Sequence, residues 1–291
     1  MKWEGREQSS NVEDRRGMSM AAGGLAVGGG LGTLVLILIM TFLGANPAQL
    51  MEQVGEQKPK SSTQTKIDPA QDRDASLKEF VSVVMRDTED VWGKLFREQL
   101  GARYQEPKLV LFTGEVRSAC GSATASVGPF YCPGDSNVYL DFEFFRVLKD
   151  KLGAPGDFAM AYVVAHEIGH HVQNQLGLSA KVQNLQNRAD KVESNRLSVR
   201  TELQADYLAG VWAHHAQTSK KILQVGDLEE AINAASKIGD DVLQKQATGR
   251  VRPDGFTHGT AAQRQRWFAL GLKTGDANAM MKPFEVEYDS L

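Results

Sequence analysis

The chain has 291 residues, of which 42% are hydrophobic and 24% are charged. This size and composition accommodate one sizeable globular domain together with extensions. The formal net charge of −3 at pH 7 shows no excess of basic residues, so we do not expect the protein to bind nucleic acid.

The N-terminal part of the chain predicts a membrane anchor. Residues 1–20 are polar and mixed in charge, which predicts a disordered, solvated tail, whereas residues 21–45 contain no charged residue and are long enough to span a bilayer. Four basic residues precede this segment, and Lys58 and Lys60 follow it only at some distance. This distribution predicts a single transmembrane helix, with a cytoplasmic N-terminus and the rest of the chain outside the cytoplasm. A cleaved signal peptide is the alternative, but no clean A-x-A site precedes Asn46.

The rest of the chain predicts a linker and one folded domain. Residues 46–75 are rich in Gln, Lys, Ser, Thr and Asp, as expected for a solvated linker, and the domain then occupies residues 76–291. Residues 77–100 have apolar side chains at helical spacing, whereas residues 108–112 and 137–141 have strand character. These patterns predict a mostly helical α+β domain with a small sheet.

The only two cysteines are Cys120 and Cys132. In a chain exported to an oxidising compartment, two cysteines about a dozen residues apart usually form a disulfide bond. Two free thiols or a cysteine-ligated metal are the alternatives, but no C-x-x-C spacing supports a metal site. We therefore predict a disulfide.

The strongest chemical signal lies at residues 166–170, which read HEIGH. Histidines four residues apart lie one turn apart on a helix, so His166 and His170 can direct their ring nitrogens at one ion. Zinc held in this H-E-x-x-H arrangement keeps a position for water and makes that water acidic near neutral pH. Glu167 does not bind the metal in this arrangement, and it can accept the proton of the water. An apolar run at residues 158–165 predicts that the motif lies on a buried helix.

A third metal ligand is expected from a second helical pattern. The metzincin continuation is absent, because Gln173 and Leu176 stand where that motif has a glycine and a third histidine. Glu202 and Asp206 are four residues apart, so one carboxylate can bind zinc while the other accepts a hydrogen bond from a ligand histidine. An acidic pair on a solvated helix face is the alternative, and the apolar residues around the pair argue against it.

Residues 166–171 and 202–206 together resemble the gluzincin metallopeptidases. Nearly the whole chain, including residues 11–17, 128–133 and 256–259, is similar to the neutral zinc metallopeptidase family of membrane-anchored bacterial proteins. The resemblance implies a zincin-like metalloprotease domain and the hydrolysis of peptide bonds.

In detail, the resemblance implies one zinc ion bound by His166, His170 and Glu202. It also implies that Asp206 supports a ligand histidine from the second coordination shell, and that Glu167 acts as the catalytic base.

The resemblance suggests roles for two further segments. In H-E-x-x-H peptidases an edge strand above the active-site helix commonly pairs with the substrate backbone, so Val138, Tyr139 and Leu140 are the candidate substrate strand. A purely structural strand is the alternative. Many of these peptidases add a His or Tyr that stabilises the oxyanion, and His258 is the candidate here. A packing or capping role at the start of the following helix is the alternative for His258.

We therefore predict a membrane-anchored zinc endopeptidase that hydrolyses peptides or proteins outside the cytoplasm. One alternative is a zinc amidase that acts on a non-protein amide, such as a cell-wall component. Another is a catalytically silent, zinc-stabilised binding module. Glu167 argues against the silent module, because a structural zinc site does not need a base beside its ligands.

Overall fold

Helices form most of the domain in the computed structural model, which describes residues 1–19, 63–64 and 69–291. The helices are α1 (Ala75–Glu98), α2 (Phe142–Asp150), α3 (Asp157–Gln175), α4 (Leu178–Gln186), α5 (Lys191–Lys220), α6 (Asp227–Lys237), α7 (Asp240–Thr248), α8 (Ala261–Thr274) and α9 (Lys282–Glu285). The strands are β1 (Val12–Asp14), β2 (Met18–Ser19), β3 (Thr63–Gln64), β4 (Lys108–Phe112), β5 (Glu115–Ser118), β6 (Gly121–Thr124), β7 (Phe130–Cys132) and β8 (Asn137–Asp141). The prediction of a mostly helical α+β domain with a small sheet is confirmed.

The main sheet has four strands in the order β1-β4-β8-β7. Strands β1, β4 and β8 run parallel to one another, and β7 runs antiparallel to β8. Val138, Tyr139 and Leu140 of β8 are each only 1% exposed, as expected for a strand that is covered on both faces. Because β4 and β7 already pair with the two sides of β8, the prediction that these three residues form a substrate-binding edge strand is wrong. The edge of the sheet next to β8 is β7.

The N-terminal nineteen residues pack against the domain, so the prediction of a disordered tail is wrong. Strand β1 pairs with β4, with Val12 opposite Leu109. Met1 is 5% exposed, and the ring of Trp3 packs edge-on against Phe80 at 5.6 Å. The polar composition was misleading because strand pairing satisfies backbone groups and does not require apolar side chains at every position.

The predicted membrane anchor, residues 21–45, lies outside the described residues, as does most of the predicted linker. Within the part of the chain that the structure describes, no helix is long and apolar enough to cross a bilayer. The short strands β2 and β3, which precede and follow this stretch, pair antiparallel with each other.

A disulfide bond connects a β-hairpin to the edge of the main sheet. Strands β5 and β6 pair antiparallel, and Cys120 lies in the turn between them. Cys120 and Cys132 form a disulfide with their Cα atoms 5.8 Å apart. The predicted disulfide is confirmed, and it holds the β5–β6 hairpin beside β7.

Close helix packing positions the chemically important residues. A Cβ atom added to Gly271 of α8 would lie 2.0 Å from the carbonyl oxygen of Tyr207 in α5. On another side of α5, a Cβ atom added to Gly169 of α3 would lie 2.9 Å from the carbonyl oxygen of Ala205. Glycine therefore permits backbone contact of α5 with both neighbours, and side chains from the three helices meet in one region.

Candidate metal centre

Three potential metal ligands converge between α3 and α5. His166 Nε2 lies 3.1 Å from Glu202 Oε2, and His170 Nε2 lies 3.4 Å from Glu202 Oε1. One ligand atom from each residue lies within 4.8 Å of the others. Zinc–ligand distances near 2 Å place the ligand atoms of a tetrahedral site about 3.3 Å apart, so these three side chains suit a single zinc ion.

Each of the two histidines is oriented by its second ring nitrogen. His166 Nδ1 lies 2.8 Å from Asp206 Oδ1, and His170 Nδ1 lies 2.9 Å from Gln173 Oε1. The Gln173 amide is itself fixed, because its Nε2 donates to the carbonyl oxygen of Thr201 at 2.7 Å. Since both acceptors are oxygens, the hydrogen of each neutral ring lies on Nδ1, which leaves on Nε2 the lone pair that a metal requires.

The charges of the cluster favour a bound cation. Burial disfavours protonation of His170, but the charge and hydrogen bond of Glu202 outweigh it and raise the pKa of His170 to about 9. Burial also opposes the ionisation of Glu202, yet the charges of His170 and His258 hold the pKa of Glu202 well below its usual range. A zinc ion binds histidine in its neutral form, so it would replace protons at this site.

Asp206 is the centre of a buried network that includes Arg264 of α8. Besides its contact with His166, the Asp206 carboxylate accepts hydrogen bonds from the Tyr162 hydroxyl at 2.6 Å and from Arg264 Nε at 2.8 Å. The side chains of Asp206 and Arg264 are 0% and 3% exposed. Burial opposes ionisation of Asp206, but the charge of Arg264 lowers its pKa to about 2. Arg264 thus stabilises the anion that orients His166.

Glu167 lies beside the ligand cluster, and His171 faces away from it. Glu167 is 8% exposed, and its charge contributes to the raised pKa of His170. His171 Nδ1 lies 3.1 Å from the Tyr131 hydroxyl, and its Nε2 lies 2.7 Å from the carbonyl oxygen of Gln105. His171 therefore connects α3 to the edge strand β7 rather than to the metal ligands.

His258 lies in the segment between α7 and α8, where its charge acts on Glu202. Its Nδ1 is 3.3 Å from Asp240 Oδ1 and 3.0 Å from Thr257 Oγ1. Asp240 is fully buried, and its Oδ2 accepts the backbone N–H groups of Thr257, His258 and Gly259. Desolvation opposes protonation of His258, but Glu202 and Asp240 raise its pKa. The side chain is 42% exposed, so a fixed, polar ring lies at a solvent-accessible position near the cluster.

Sequence reasoning missed several supporting residues of this site, among them Gln173, Asp240 and Arg264. Gln173 follows His170 by three positions on the same helix, and that spacing could have identified it. Asp240 is 18 residues from His258, and Arg264 is 98 residues from His166. No local pattern connects residues at such separations.

Comparison with known proteins supports a metal-dependent site. Residues 1–282 match the family described as "Putative neutral zinc metallopeptidase". The chain belongs to this family. Among its relatives is the uncharacterized protein YpfJ of Escherichia coli, which is 49% identical over 281 residues, covering 95% of this chain and 96% of that protein. The uncharacterized protein Rv2575 of Mycobacterium tuberculosis is 48% identical over 185 residues, covering 60% and 61%. No solved structure matches the chain. The family description implies zinc, and His166, His170 and Glu202 provide this member with nitrogen and oxygen donors that zinc accepts.

Proposed function

We propose that this family member is a zinc-dependent peptidase. The convergence of His166, His170 and Glu202, with the carboxylate of Glu167 beside them, is the observation that carries the proposal. When bound, zinc supplies a Lewis acid that polarises the scissile carbonyl group and acidifies a water molecule. A catalytically silent zinc site would not require Glu167, so this residue favours hydrolysis over binding alone.

The residues around the zinc site have complementary roles in the proposed reaction. Glu167 accepts a proton from the attacking water and transfers it to the leaving amine. His258 is held at Nδ1 by Asp240, and the charges of Glu202 and Asp240 favour its protonated form, in which Nε2 also carries a hydrogen. We assign to this group the hydrogen bond to the oxygen that becomes negatively charged in the transition state. Asp206 keeps the ring of His166 in the tautomer that presents Nε2 to the metal.

Strand β7 is the proposed site of substrate pairing, in place of β8. An edge strand has backbone groups directed outward, with which an extended peptide can pair. The hydroxyl of Tyr131 in β7 accepts a hydrogen bond from Asn174 Nδ2 of α3 at 2.9 Å. This contact, together with that of His171, fixes β7 against the helix that carries the metal ligands. The substrate class is therefore an extended peptide or an unfolded protein segment.

The catalytic domain is proposed to act outside the cytoplasm. The disulfide between Cys120 and Cys132 supports this location, because such bonds persist in oxidising compartments and are rare in the cytosol.

Zinc content and cleavage, measured together on the full-length protein, test the proposed function. His166→Ala, His170→Ala and Glu202→Ala should each lose most of the zinc, whereas Glu167→Gln should retain zinc and lose turnover. Glu193→Ala is a matched control on α5, because Glu193 is exposed and lies outside the ligand cluster.

The wild-type protein should cleave unfolded polypeptides in a chelator-sensitive manner. Zinc binding without cleavage of any amide would contradict the proposal, and cleavage restricted to non-protein amides would identify an amidase. Full zinc content in Glu202→Ala would exclude Glu202 as the third ligand.

A further inference from the structure

The two segments that flank residues 20–62 lie next to each other in the part of the chain that the structure describes. Arg16 precedes this stretch and Asp72 follows it. Arg16 Nη1 lies 3.1 Å from Asp72 Oδ1, and Arg16 Nη2 lies 2.6 Å from Asp72 Oδ2. The Arg16 side chain is 4% exposed, and its guanidinium also packs over the Phe142 ring at 5.1 Å. This buried, bidentate ion pair holds the backbone at Arg16 beside the backbone at Asp72.

Residues 1–19, which precede this stretch, contact buried groups of the domain. The carboxylates of Asp87 and Glu89 in α1 are 1% and 2% exposed. Both accept hydrogen bonds from side chains of residues 1–19. Arg6 forms a two-pronged contact with Asp87 at 2.9 and 2.5 Å, and Asn11 Nδ2 lies 2.9 Å from Glu89 Oε1. Withdrawal of the segment would expose one side of β4 and remove partners from buried charges, which is strongly unfavourable.

We infer that residues 1–19 and the catalytic domain lie on the same side of the membrane. A single crossing by residues 21–45 would separate Arg16 from Asp72 by about 30 Å of hydrocarbon, whereas these two side chains are directly hydrogen-bonded. Three of the four basic residues that favoured a cytoplasmic N-terminus form ion pairs within the described structure, because Arg6 pairs with Asp87, Arg15 with Glu13 and Arg16 with Asp14. This inference is independent of the proposed peptidase activity, because it rests on contacts of the N-terminal segment and not on the metal centre.

Cysteine labelling in intact cells tests the inference directly. Ser10 and Lys273 are both exposed, one in the N-terminal segment and one at the end of α8. Full-length Ser10→Cys and Lys273→Cys variants should give the same result with a membrane-impermeant maleimide, since the native cysteines are already bonded. Labelling after denaturation in detergent gives the total amount of the introduced cysteine for each variant. Labelling of one site before permeabilisation and of the other only afterwards would establish a single crossing and overturn the inference.

Charge reversal tests whether the pair of Arg16 and Asp72 holds the segment in place. In full-length protein in detergent, amide hydrogen exchange in β1 should be at least about tenfold faster in Arg16→Asp than in wild type, because a buried pair is broken and like charges face each other. The double variant Arg16→Asp/Asp72→Arg should recover much of the protection. Arg73→Asp, at an exposed neighbouring position, is the control and should not change the exchange rate. Wild-type β1 amides that exchange as fast as an unstructured chain would also overturn the inference.

Discussion

The buried ion pair between Arg264 and Asp206 makes a prediction for both stability and zinc affinity. The two side chains are 3% and 0% exposed, and they are joined by contacts of 2.8 and 3.0 Å. Removing one partner of a buried pair typically costs about 3–5 kcal/mol, because the other charge remains buried without its counterion. We expect Arg264→Met and Asp206→Asn each to lower the free energy of unfolding of the zinc-free protein by that amount.

Measuring the double variant and the zinc affinities separates the effect of these residues on stability from their effect on metal binding. Arg264→Met/Asp206→Asn leaves neither charge behind, so its loss of stability should fall short of the sum of the single losses by about 2–3 kcal/mol. Asp206→Asn removes the anionic acceptor at His166 Nδ1 and should weaken zinc binding by about 10- to 100-fold. Arg264→Met retains that acceptor, so its effect on zinc affinity should be smaller, below about tenfold.

Urea unfolding in the presence of a chelator measures the stabilities without a contribution from bound metal. Competition with a chromophoric chelator measures the zinc affinities. Arg266→Met is a suitable control, because Arg266 is an exposed arginine on the same helix and its replacement should change stability by no more than about 0.5 kcal/mol. Additive losses in the double variant, or an unchanged zinc affinity in Asp206→Asn, would refute the reasoning.

Three further predictions concern other parts of the structure. His258→Ala should reduce kcat by about 100- to 1000-fold with zinc content unchanged, as expected for an oxyanion donor; an unchanged kcat would leave His258 with a structural role. Gly169→Ala should cost about 1–3 kcal/mol in urea unfolding and weaken zinc binding, because its Cβ would lie 2.9 Å from the Ala205 carbonyl oxygen and would push α3 away from α5; wild-type values for both would contradict this close approach. Burial opposes ionisation of Asp14, but hydrogen bonds from Arg16 lower its pKa from 3.8 to about 2. A lowered pKa in the folded state stabilises the protein above about pH 4, and this contribution is lost as the pH falls through 2. The free energy of unfolding in urea should therefore be higher for wild type than for Asp14→Asn by about 2 kcal/mol at pH 5 and by about half of that at pH 3. A difference that does not change with pH would argue against this pKa shift.

The sequence predicted those parts of the site that depend on helical periodicity. Residues four apart on a helix share a face, so the approach of His166 to His170 follows from spacing alone. The same rule placed Glu202 one turn from Asp206. The contact between the two helices depends on small residues, because the structure brings Gly169 against Ala205.

Interactions between distant segments could not be predicted in this way. Arg264 has the appearance of an ordinary helix residue, and its burial depends on the packing of α8 against α5. Strand β1 is polar, and its position is set by backbone pairing with β4. The assignment of β8 as an edge strand failed because alternation along a strand does not reveal how many neighbours it has. The consecutive apolar residues Val138, Tyr139 and Leu140 would have been the better guide, since interior strands are often apolar without interruption.

The long sequence separations within the metal centre also determine the order in which the site can form. His166 and Arg264 are 98 residues apart, so a ribosome that has just completed Glu202 has yet to add the segment containing His258 and Arg264. At that stage Asp206 lacks its buried counterion, and the ring of His258 does not yet exist. Contacts between such distant residues require both partners to have been synthesised and a long loop to close. A nascent chain could therefore gather these candidate ligands before it acquires the groups that fix them, so the site is complete only after the C-terminal helices have docked.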